Sequence, residues 1–309
     1  MLKYFLKRLG IAVPTLILLI ATTYAMMEIA PGSPFSNDKK VPPAVMANLE
    51  AKYGLDKPLL ERVYIYMRDI VVDFDFGPSY RQKDLRVKEI LASGLSVTLP
   101  YGTLSFLFAM SIGILLGVWA ALNQNTWIDT ACNSFAWAAN MMPNFVLGPI
   151  LVLVFSLWLG WLPTGGWEHG NLAYAVMPVI ALGTSYLANV VRMTRSSMIE
   201  VMTSPFIRAA KSKGISSTQL VRRHALRPAL APVLAMMGPI YVYMLTGSIV
   251  VDAYFSTGGL GTYFVKAAFS RDYSVMLGLT VVYGTLILTV TLLIDLIYAW
   301  VNPKIRFSQ

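Results

Sequence analysis

The sequence has few charged residues for its length. Only 13% of its 309 positions are Asp, Glu, Lys or Arg, and 56% are hydrophobic, whereas a soluble domain carries about a quarter charged residues. Six stretches are long enough to cross a hydrocarbon layer about 30 Å thick, and they lack the regular charges of a soluble amphipathic helix. The shortage of charge therefore predicts an all-α integral membrane protein. The six predicted spans are approximately Leu9–Ala30, Val97–Leu122, Ala131–Leu159, Tyr174–Val191, Ala229–Val251 and Val275–Val301.

Residues of catalytic and nucleotide-binding motifs are also scarce. The two histidines, His169 and His224, form no HExxH pair, and no GxSxG sequence occurs, which excludes those zinc-protease and serine-hydrolase sites. The chain has no GxxxxGK[ST] sequence, so it cannot hold ATP in a P-loop. The glycines of Gly258–Gly261 lack the strand and helix that a dinucleotide-binding motif requires. We therefore predict that the chain is not an enzyme by itself and binds no cofactor and no metal ion.

Titratable residues are sparse inside the spans. The single cysteine, Cys132, falls in the third predicted span and cannot form an internal disulfide. Charges near or within the spans are limited to Glu28, Arg192, Asp252 and Asp295. A charge at the bilayer centre costs about 2.5–3.5 kcal/mol on insertion scales, so each of these must reach water or a partner. The set contains no series of acids and histidines that could relay a proton, which disfavours a proton-coupled carrier without excluding it.

The main concentration of net positive charge is a basic segment between the fourth and fifth predicted spans. Eight Lys or Arg residues lie between Arg192 and Arg227, with a single acid, Glu200. Short loops rich in Lys and Arg stay in the cytoplasm, and six spans put both termini on one side, so we predict cytoplasmic termini. The net charge of +9 could indicate nucleic acid, but anionic lipid headgroups and a cytoplasmic protein explain the basic segment better.

Prolines and glycines divide the region between the first two spans into two predicted external helices, over residues 42–54 and 56–72. This region is too small for a large core of its own, so it is expected to pack on the membrane domain. The apolar face predicted for the second helix contains Leu59, Leu60, Val63, Met67 and Ile70.

Prolines also lie within the third, fourth and fifth predicted spans. Proline is tolerated in membrane helices where neighbours satisfy the freed carbonyls, so kinks are expected. These kinks indicate either flexible, pathway-lining helices or the ordinary frequency of proline in membrane helices. The residues are Pro143, Pro149, Pro178, Pro232 and Pro239.

Four pairs of short motifs follow one another along nearly the whole chain. They are Leu2–Arg8 with Ala30–Pro34, Lys52–Pro58 with Phe74–Gly77, Ala209–Gly214 with His224–Leu230, and Gly258–Gly261 with Arg271–Ser274. Each motif is weak alone. Together with the six spans, they resemble the B-type membrane subunits of bacterial peptide/nickel ABC importers, and most closely the oligopeptide permeases among them.

This resemblance implies a type I ABC-importer permease fold, with six transmembrane helices and a helical external insertion between spans 1 and 2. Residues 1–30 would form a cytoplasmic leader and the first span, and residues 31–95 the external region. A five-span permease core would occupy 96–302, with a cytoplasmic coupling loop at 192–228, and 303–309 would be a cytoplasmic tail. The implied location is the bacterial inner membrane.

The same resemblance implies a non-catalytic subunit of an ATP-driven importer. The chain would form a heterodimer with a similar C-type permease and contact two cytoplasmic ATPases, which bind ATP and Mg. An external binding protein would deliver oligopeptides, and membrane lipid would surround the spans. Dipeptides or nickel are alternative cargoes, because selectivity is expected to rest with the binding protein. The sequence does not identify the residues of the substrate pathway.

The coupling loop is the contact with the ATPases that the resemblance implies. Ala209 and Ala210 offer a smooth helix surface, and Gly214 ends that helix because glycine adopts the left-handed conformation at low cost. Leu220 and Val221 follow on a second short helix. The predicted contact residues are Arg208, Ala209, Ala210, Lys211, Lys213, Gly214, Leu220, Val221 and Arg222.

The chain departs from the family's usual motifs at four positions. Arg208 replaces the glutamate that begins the general importer motif, and Pro228 lies one residue later than its closing Leu-Pro predicts. Gly258 stands where a proline is frequent, and Ser33 where an aspartate is frequent. The first two leave open which individual residues contact the ATPases. The alternatives are a basic loop that contacts only lipid, an ion-coupled carrier or channel, and a membrane scaffold.

Overall fold

The computed structural model describes residues 2–29, 57–82, 85–246 and 249–301. Within these ranges the chain is helical apart from short connections, and an isolated bridge between Pro78 and Arg86 is the β-type pairing observed. Several sequence predictions lie outside the described residues, namely the helix over 42–54, the turn that contains Ser33, the tail at 303–309 and the side chains of Glu28 and Asp295.

The helices follow one another in chain order with short connections. They are α1 (Leu2–Ile29), α2 (Leu59–Asp73), α3 (Val87–Leu122), α4 (Trp127–Met141), α5 (Asn144–Leu151) with a π-helix (Val152–Trp158), α6 (Ala173–Met202), α7 (Pro205–Ser212), α8 (Ser217–Gln219) with a second π-helix (Leu220–Ala225), α9 (Leu226–Ala229), α10 (Ala231–Thr246), α11 (Ile249–Phe255), α12 (Leu260–Ser270) and α13 (Tyr273–Val301).

Among the residues that the structure describes, four helices, α1, α3, α6 and α13, are long and apolar enough to cross a membrane. Two more candidate spans are each made of two bent pieces. One joins α4 to α5 and its π-helix, and the other joins Ser217–Ala229 to α10. Counting each bent pair as one span gives six, the number predicted from the sequence. The chain is therefore a multi-pass helical membrane protein.

The third predicted span is broken rather than kinked. The sequence predicted one helix over Ala131–Leu159, but α4 ends at Met141 and the chain turns by 101° before α5 begins. Met142 is extended, with φ −86° and ψ 112°, which is the conformation that a following proline imposes. Pro143 thus ends a helix, whereas Pro149 lies within α5 without interrupting it.

Helix α6 extends further than the sequence predicted. The coupling loop is predicted at 192–228, but the helix continues through Arg192 and Arg195 to Met202. No glycine or proline lies between Arg192 and Met202, so no local signal stops the helix at the end of the apolar run. The beginning of the loop therefore moves from residue 192 to residue 203.

The described chain divides into two compact units. One contains the residues up to Thr98 together with Thr257–Leu292, and the other contains Leu99–Ser256 with the end of α13. Because α3 is continuous from Val87 to Leu122, the boundary at 95/96 predicted between the external region and the permease core falls inside a helix.

The first unit has an aliphatic core formed by α3, α12 and α13. Val87, Leu91, Leu260, Val275 and Leu279 are all fully or almost fully buried there. These residues come from the two ends of the sequence, so the unit depends on contacts between distant parts of the chain.

Helix α2 packs on α1 through aromatic and cationic side chains. The rings of Tyr24 and Tyr66 are 6.2 Å apart in an edge-to-face arrangement, and the Arg62 guanidinium carbon is 5.7 Å from the centre of the Tyr24 ring. Val63 is buried, but Leu60, predicted for the same face, is 83% exposed. The packed face includes Arg62, and helical residues two apart point in nearly opposite directions, so Leu60 faces outward.

A buried carboxylate joins the segment before α3 to the start of α13. Asp272 accepts hydrogen bonds from the Ser79 hydroxyl and from the Tyr80 N–H, the latter at 3.1 Å. The Ser274 hydroxyl donates to the Pro78 carbonyl oxygen at 2.5 Å. Asp272 is 3% exposed, so the Ser79 hydroxyl and the Tyr80 N–H, rather than water, satisfy its carboxylate.

Helix α6 is packed closely by its neighbours in the second unit. A Cβ atom added to Gly117 of α3 would lie 2.5 Å from Thr194 Cβ, and one added to Gly113 would lie 2.6 Å from the Val190 side chain. Ala136 of α4 is fully buried against the same helix. Small residues at such contacts allow helices to approach closely. Helix α6 is thereby fixed by two neighbours, and its last turns position the segment that follows.

Candidate coupling loop

The predicted coupling loop begins with the short helix α7. Ser204 is extended and Pro205 occupies the first helical turn, where the N–H that proline lacks would have no partner within the helix. Ile207 is 2% exposed, whereas Arg208 and Ala209 are exposed. Helix α7 is therefore anchored through Ile207 and presents its opposite side outward.

The two alanines of the motif have different surroundings. Ala209 is exposed, while Ala210 is half-buried and packs against hydrophobic residues beneath the helix. Lys211 and Lys213 are exposed. The surface that α7 offers to a partner is thus centred on Arg208 and Ala209, with the two lysines beside it.

Gly214 ends the helix in the left-handed conformation predicted from the sequence. Its φ is +80°, its N–H donates to the Lys211 carbonyl oxygen at 3.0 Å, and the Lys213 N–H donates to that of Ala210 at 3.3 Å. A Cβ atom added to Gly214 would meet no other atom within 4 Å. The requirement for glycine is therefore conformational rather than one of space.

Beneath the loop lies a hydrophobic cluster, called here the loop core. Leu220 is 3% exposed, and Val221 packs on the same cluster. Both residues belong to the contact surface predicted from the sequence, but the structure places Leu220 beneath that surface. These side chains hold the second half of the loop against α6. The loop core contains Met198, Ile207, Leu220, Ala225 and Ala229, with Ala121, Val201, Met202, Ala210, Ile215 and Val221 packed around them.

The second half of the loop is helical and basic. Ser216 is extended and precedes α8, but its side chain makes no cap hydrogen bond. The helix continues through the π-helix into α9, so its polar side chains project from a continuous segment. Such a surface suits carboxylates of a protein partner or lipid phosphates. The exposed basic residues of the loop are Arg208, Lys211, Lys213, Arg222, Arg223 and Arg227.

An ion pair that was not predicted from the sequence lies towards the same end of α6. Arg195 Nε donates to Asp129 Oδ1 and Arg195 Nη2 to Asp129 Oδ2, both at 2.6 Å. Asn133 Nδ2 donates to Oδ1 at 2.8 Å, and the Asn125 N–H donates to Oδ2 at 3.0 Å. Asp129 is 5% exposed, and a bidentate pair is both strong and directional. The pair fixes the first turn of α4 to the part of α6 that leads into the loop.

The sequence gives little indication of this ion pair. Asp129 and Asn133 are one turn apart, a spacing that puts both on one face of a helix. Asp129 lies just outside the third predicted span, and Arg195 is one of eight basic residues between Arg192 and Arg227. The pairing itself crosses 66 residues of sequence.

The fold is that of the membrane subunits of ABC importers. Comparison with the methionine ABC transporter MetNI in an inward-facing conformation gives a TM-score of 0.60 over 69% of this chain and 97% of that chain, at 19% identity. An amino acid ABC transporter solved with histidines gives 0.51 over 69% and 94%, at 20% identity. The chain therefore has the type I ABC-importer permease fold.

Sequence comparison then identifies the family. Residues 113–307 match the binding-protein-dependent transport system inner membrane component, and residues 1–84 match the N-terminal region of the membrane component of such systems. The chain therefore belongs to the family of binding-protein-dependent transport system inner membrane components, which are permease subunits of ABC importers and work with ATPase and permease partners.

Several curated relatives match the chain over almost its whole length. The oligopeptide transport system permease protein OppB of Haemophilus influenzae is 45% identical over 99% of this chain and 100% of its own length. The protein of the same name from Escherichia coli K12 is 43% identical over the same shares. The dipeptide transport system permease protein DppB of Bacillus subtilis is 37% identical over 100% of this chain and 99% of its own length.

Proposed function

We propose that this chain forms half of the translocation pathway for oligopeptides in an ATP-driven importer of the bacterial inner membrane. The observation that carries the proposal is the α7 surface, which is exposed at Ala209, ended by Gly214 and held on a buried core. The oligopeptide permeases at 43–45% identity support this cargo over the dipeptide permease at 37%. Dipeptides are the second candidate, because that relative also matches along the whole chain.

The proposed partners follow from the chemistry that the chain lacks and the surface that it has. A similar C-type permease would complete the pathway, and an external binding protein would deliver the peptide. Two ATPase subunits would bind ATP and Mg and dock on the basic loop. The chain itself would bind no cofactor and catalyse no reaction.

The loop core and the ion pair would carry motion from the ATPases into the spans. A partner that moves α7 also moves α6, because Ile207 and Leu220 pack on Met198 of that helix. The Asp129–Arg195 pair would pass the same displacement to α4. Peptide-loaded binding protein and ATP must favour the same state, since a ligand shifts an equilibrium only by its differential affinity.

Liposomes that contain this chain without ATPase subunits are expected to take up no peptide, because the chain has no P-loop sequence. Uptake of a radiolabelled tripeptide would be compared between liposomes holding the chain alone and liposomes holding all proposed subunits, each with ATP or a proton gradient. Uptake by the chain alone under a proton gradient would contradict this proposal and favour an ion-coupled carrier.

The proposed topology can be tested with single cysteines in a Cys132→Ser background. Thr164 and Ser216 are exposed residues on the connections before and after α6, so they should lie on opposite sides of the membrane. Thr164→Cys is expected to react with an impermeant maleimide in spheroplasts, and Ser216→Cys only after the cells are opened. Reaction of position 216 in intact spheroplasts would contradict cytoplasmic placement of the loop.

A further inference from the structure

One face of α6 is polar and accessible in the half of the helix nearer the coupling loop. Ser185, Asn189, Arg192 and Ser196, called here the polar stripe, follow one another at intervals of four, three and four residues, which places them on one face. Arg192 and Ser196 are exposed, and Ser185 and Asn189 are half-buried. The stripe extends about 16 Å along the helix axis.

Most of the other helix surface at this level is covered. Leu187, Ala188, Val190 and Val191 are buried between the stripe residues. On the other half of the helix the same face is closed, because Ala181, one turn before Ser185, is also buried. Along this face accessibility therefore increases at Ser185, and elsewhere at this level Tyr186, Met193 and Arg195 are also partly accessible.

A membrane-spanning helix cannot present such a face to lipid at low cost. An amide and a guanidinium in hydrocarbon lose hydrogen bonds to water that lipid cannot replace. Polar residues inside spans therefore face a water-filled path or another protein. Ser185 and Asn189 lie inside the predicted span and must have one of these neighbours, and Arg192 and Ser196 continue the same face beyond its end.

The stripe begins beside the break in the third span. The Ser185 hydroxyl donates to Asn144 Oδ1 at 2.6 Å, and Asn144 is the first residue of α5 after the 101° turn. Broken membrane helices are tolerated where irregular backbone is buried in protein or lines a cavity. The break and the stripe are two independent observations that indicate a water-filled path at this position.

Arg192 is held in place without an ion pair among the described residues. Its Nη2 donates to Asn189 Oδ1 at 3.1 Å, and its guanidinium carbon is 5.4 Å from the centre of the Trp137 ring. The guanidinium has five N–H donors, and the bond to Asn189 uses one of them. Trp137 is 43% exposed, so the ring and the cation form one accessible surface.

An aromatic pair lies next to the stripe. The rings of Tyr186 and Tyr243 are 5.6 Å apart, and Tyr243 of α10 is 62% exposed. Phenol and indole rings offer apolar contact together with hydrogen-bonding groups. This chemistry suits a chain of changing side chains better than a single fixed ligand.

We propose that the polar stripe is a wall of the peptide route and that Arg192 binds carboxylate and carbonyl oxygens of the passing peptide. This inference rests on the proposed function as a peptide permease. A guanidinium with accessible donors suits carboxylates and peptide carbonyl oxygens. The paired tyrosines then contact peptide side chains of varied size.

The first test measures selectivity rather than total uptake. In the complete importer, Arg192→Gln is expected to lower the uptake ratio of alanyl-glutamyl-alanine to alanyl-lysyl-alanine about tenfold, as loss of one charge-assisted hydrogen bond predicts. Arg192→Lys should retain most of the ratio. Arg223→Gln, a matched charge removal in the coupling loop, should lower both uptakes equally and leave the ratio unchanged.

The ratio separates this inference from the proposed function. If the parent takes up neither peptide, the proposed function fails, and this inference fails with it. If the parent transports both peptides and Arg192→Gln leaves the ratio at the parental value, only the stripe is refuted. Loss of expression or of coupling would change both uptakes together.

The second test identifies what covers the stripe. Asn189→Cys in the Cys132→Ser background is expected to react with a small charged thiosulfonate in the assembled importer, and added peptide should slow the reaction. Leu115→Cys is the control, because Leu115 is 66% exposed on the apolar helix α3 and should not react. Reaction at position 189 in the isolated chain but not in the assembled importer would show that the second permease covers the stripe, and would overturn the proposal.

Discussion

Gly214→Val is expected to lower peptide uptake about tenfold or more while leaving membrane insertion intact. The residue has a φ of +80°, and a left-handed conformation costs an L-residue roughly 1–2 kcal/mol, with a larger penalty for a β-branched side chain. Relief of that strain would break the 3.0 Å hydrogen bond to Lys211 and turn the end of α7. The measurements are peptide uptake and co-purification of the ATPases.

Two control variants separate the position from the substitution. Gly214→Asn should retain most of the uptake, because asparagine tolerates the left-handed region. Gly160→Val imposes the same conformational penalty, since Gly160 has a φ of +64° and an added Cβ meets nothing within 4 Å. Gly160 lies on the connection before α6 rather than after it, so ATPase binding should persist. Full uptake with normal ATPase binding in Gly214→Val would mean that the loop contacts only lipid.

Asp129→Leu is expected to destabilise the chain by about 3 kcal/mol and to reduce uptake. Removing one partner of a buried ion pair costs about 3–5 kcal/mol, and the 27% exposure of the Arg195 side chain places this case at the low end. The variant leaves the guanidinium of Arg195 without its two 2.6 Å bonds. The midpoint of thermal unfolding in mild detergent, measured by tryptophan fluorescence, would report the loss.

The double variant Asp129→Leu/Arg195→Leu is the decisive comparison. Replacing both partners by apolar residues is often neutral for stability, so the unfolding midpoint should return close to that of the parent. Uptake should stay below the parental rate, because two leucines hold α4 on α6 without directional hydrogen bonds. Parental stability in the single Asp129→Leu variant would show that the pair contributes nothing; parental uptake in the double variant would make its role purely structural.

The features that the sequence predicted correctly depend on residues close together in the chain. Gly214 ends α7 because of its own backbone freedom, and its neighbours supply the hydrogen bonds. Runs of apolar residues likewise identify candidate spans, because membrane thickness sets the required length. Peptide cargo and the ATPase partners came from the family resemblance rather than from these physical patterns.

The features that the sequence did not predict depend on what a side chain meets. Leu220 has the same apolar character whether it faces a partner groove or the loop core, so only packing distinguishes the two. Pro143 and Pro149 are the same residue type, yet Pro143 separates two helices that meet at 101°, whereas Pro149 lies within a helix. Arg195 is one of several basic residues until Asp129 is found opposite it. In each case the missing information is the position of a residue far away in the sequence.

The hydrogen bond between Ser79 and Asp272 joins residues 193 positions apart. It can therefore form only after the ribosome has added the later residue. At roughly 5–20 residues per second, the ribosome adds Asp272 about 10–40 s after Ser79. Throughout that interval Val87 and Leu91 lack helices α12 and α13, which complete their hydrophobic core. A nascent chain stalled before α12 would therefore carry an unfinished amino-terminal unit, open to proteases at the membrane surface. The part of the protein that is made first therefore depends on helices that are made late.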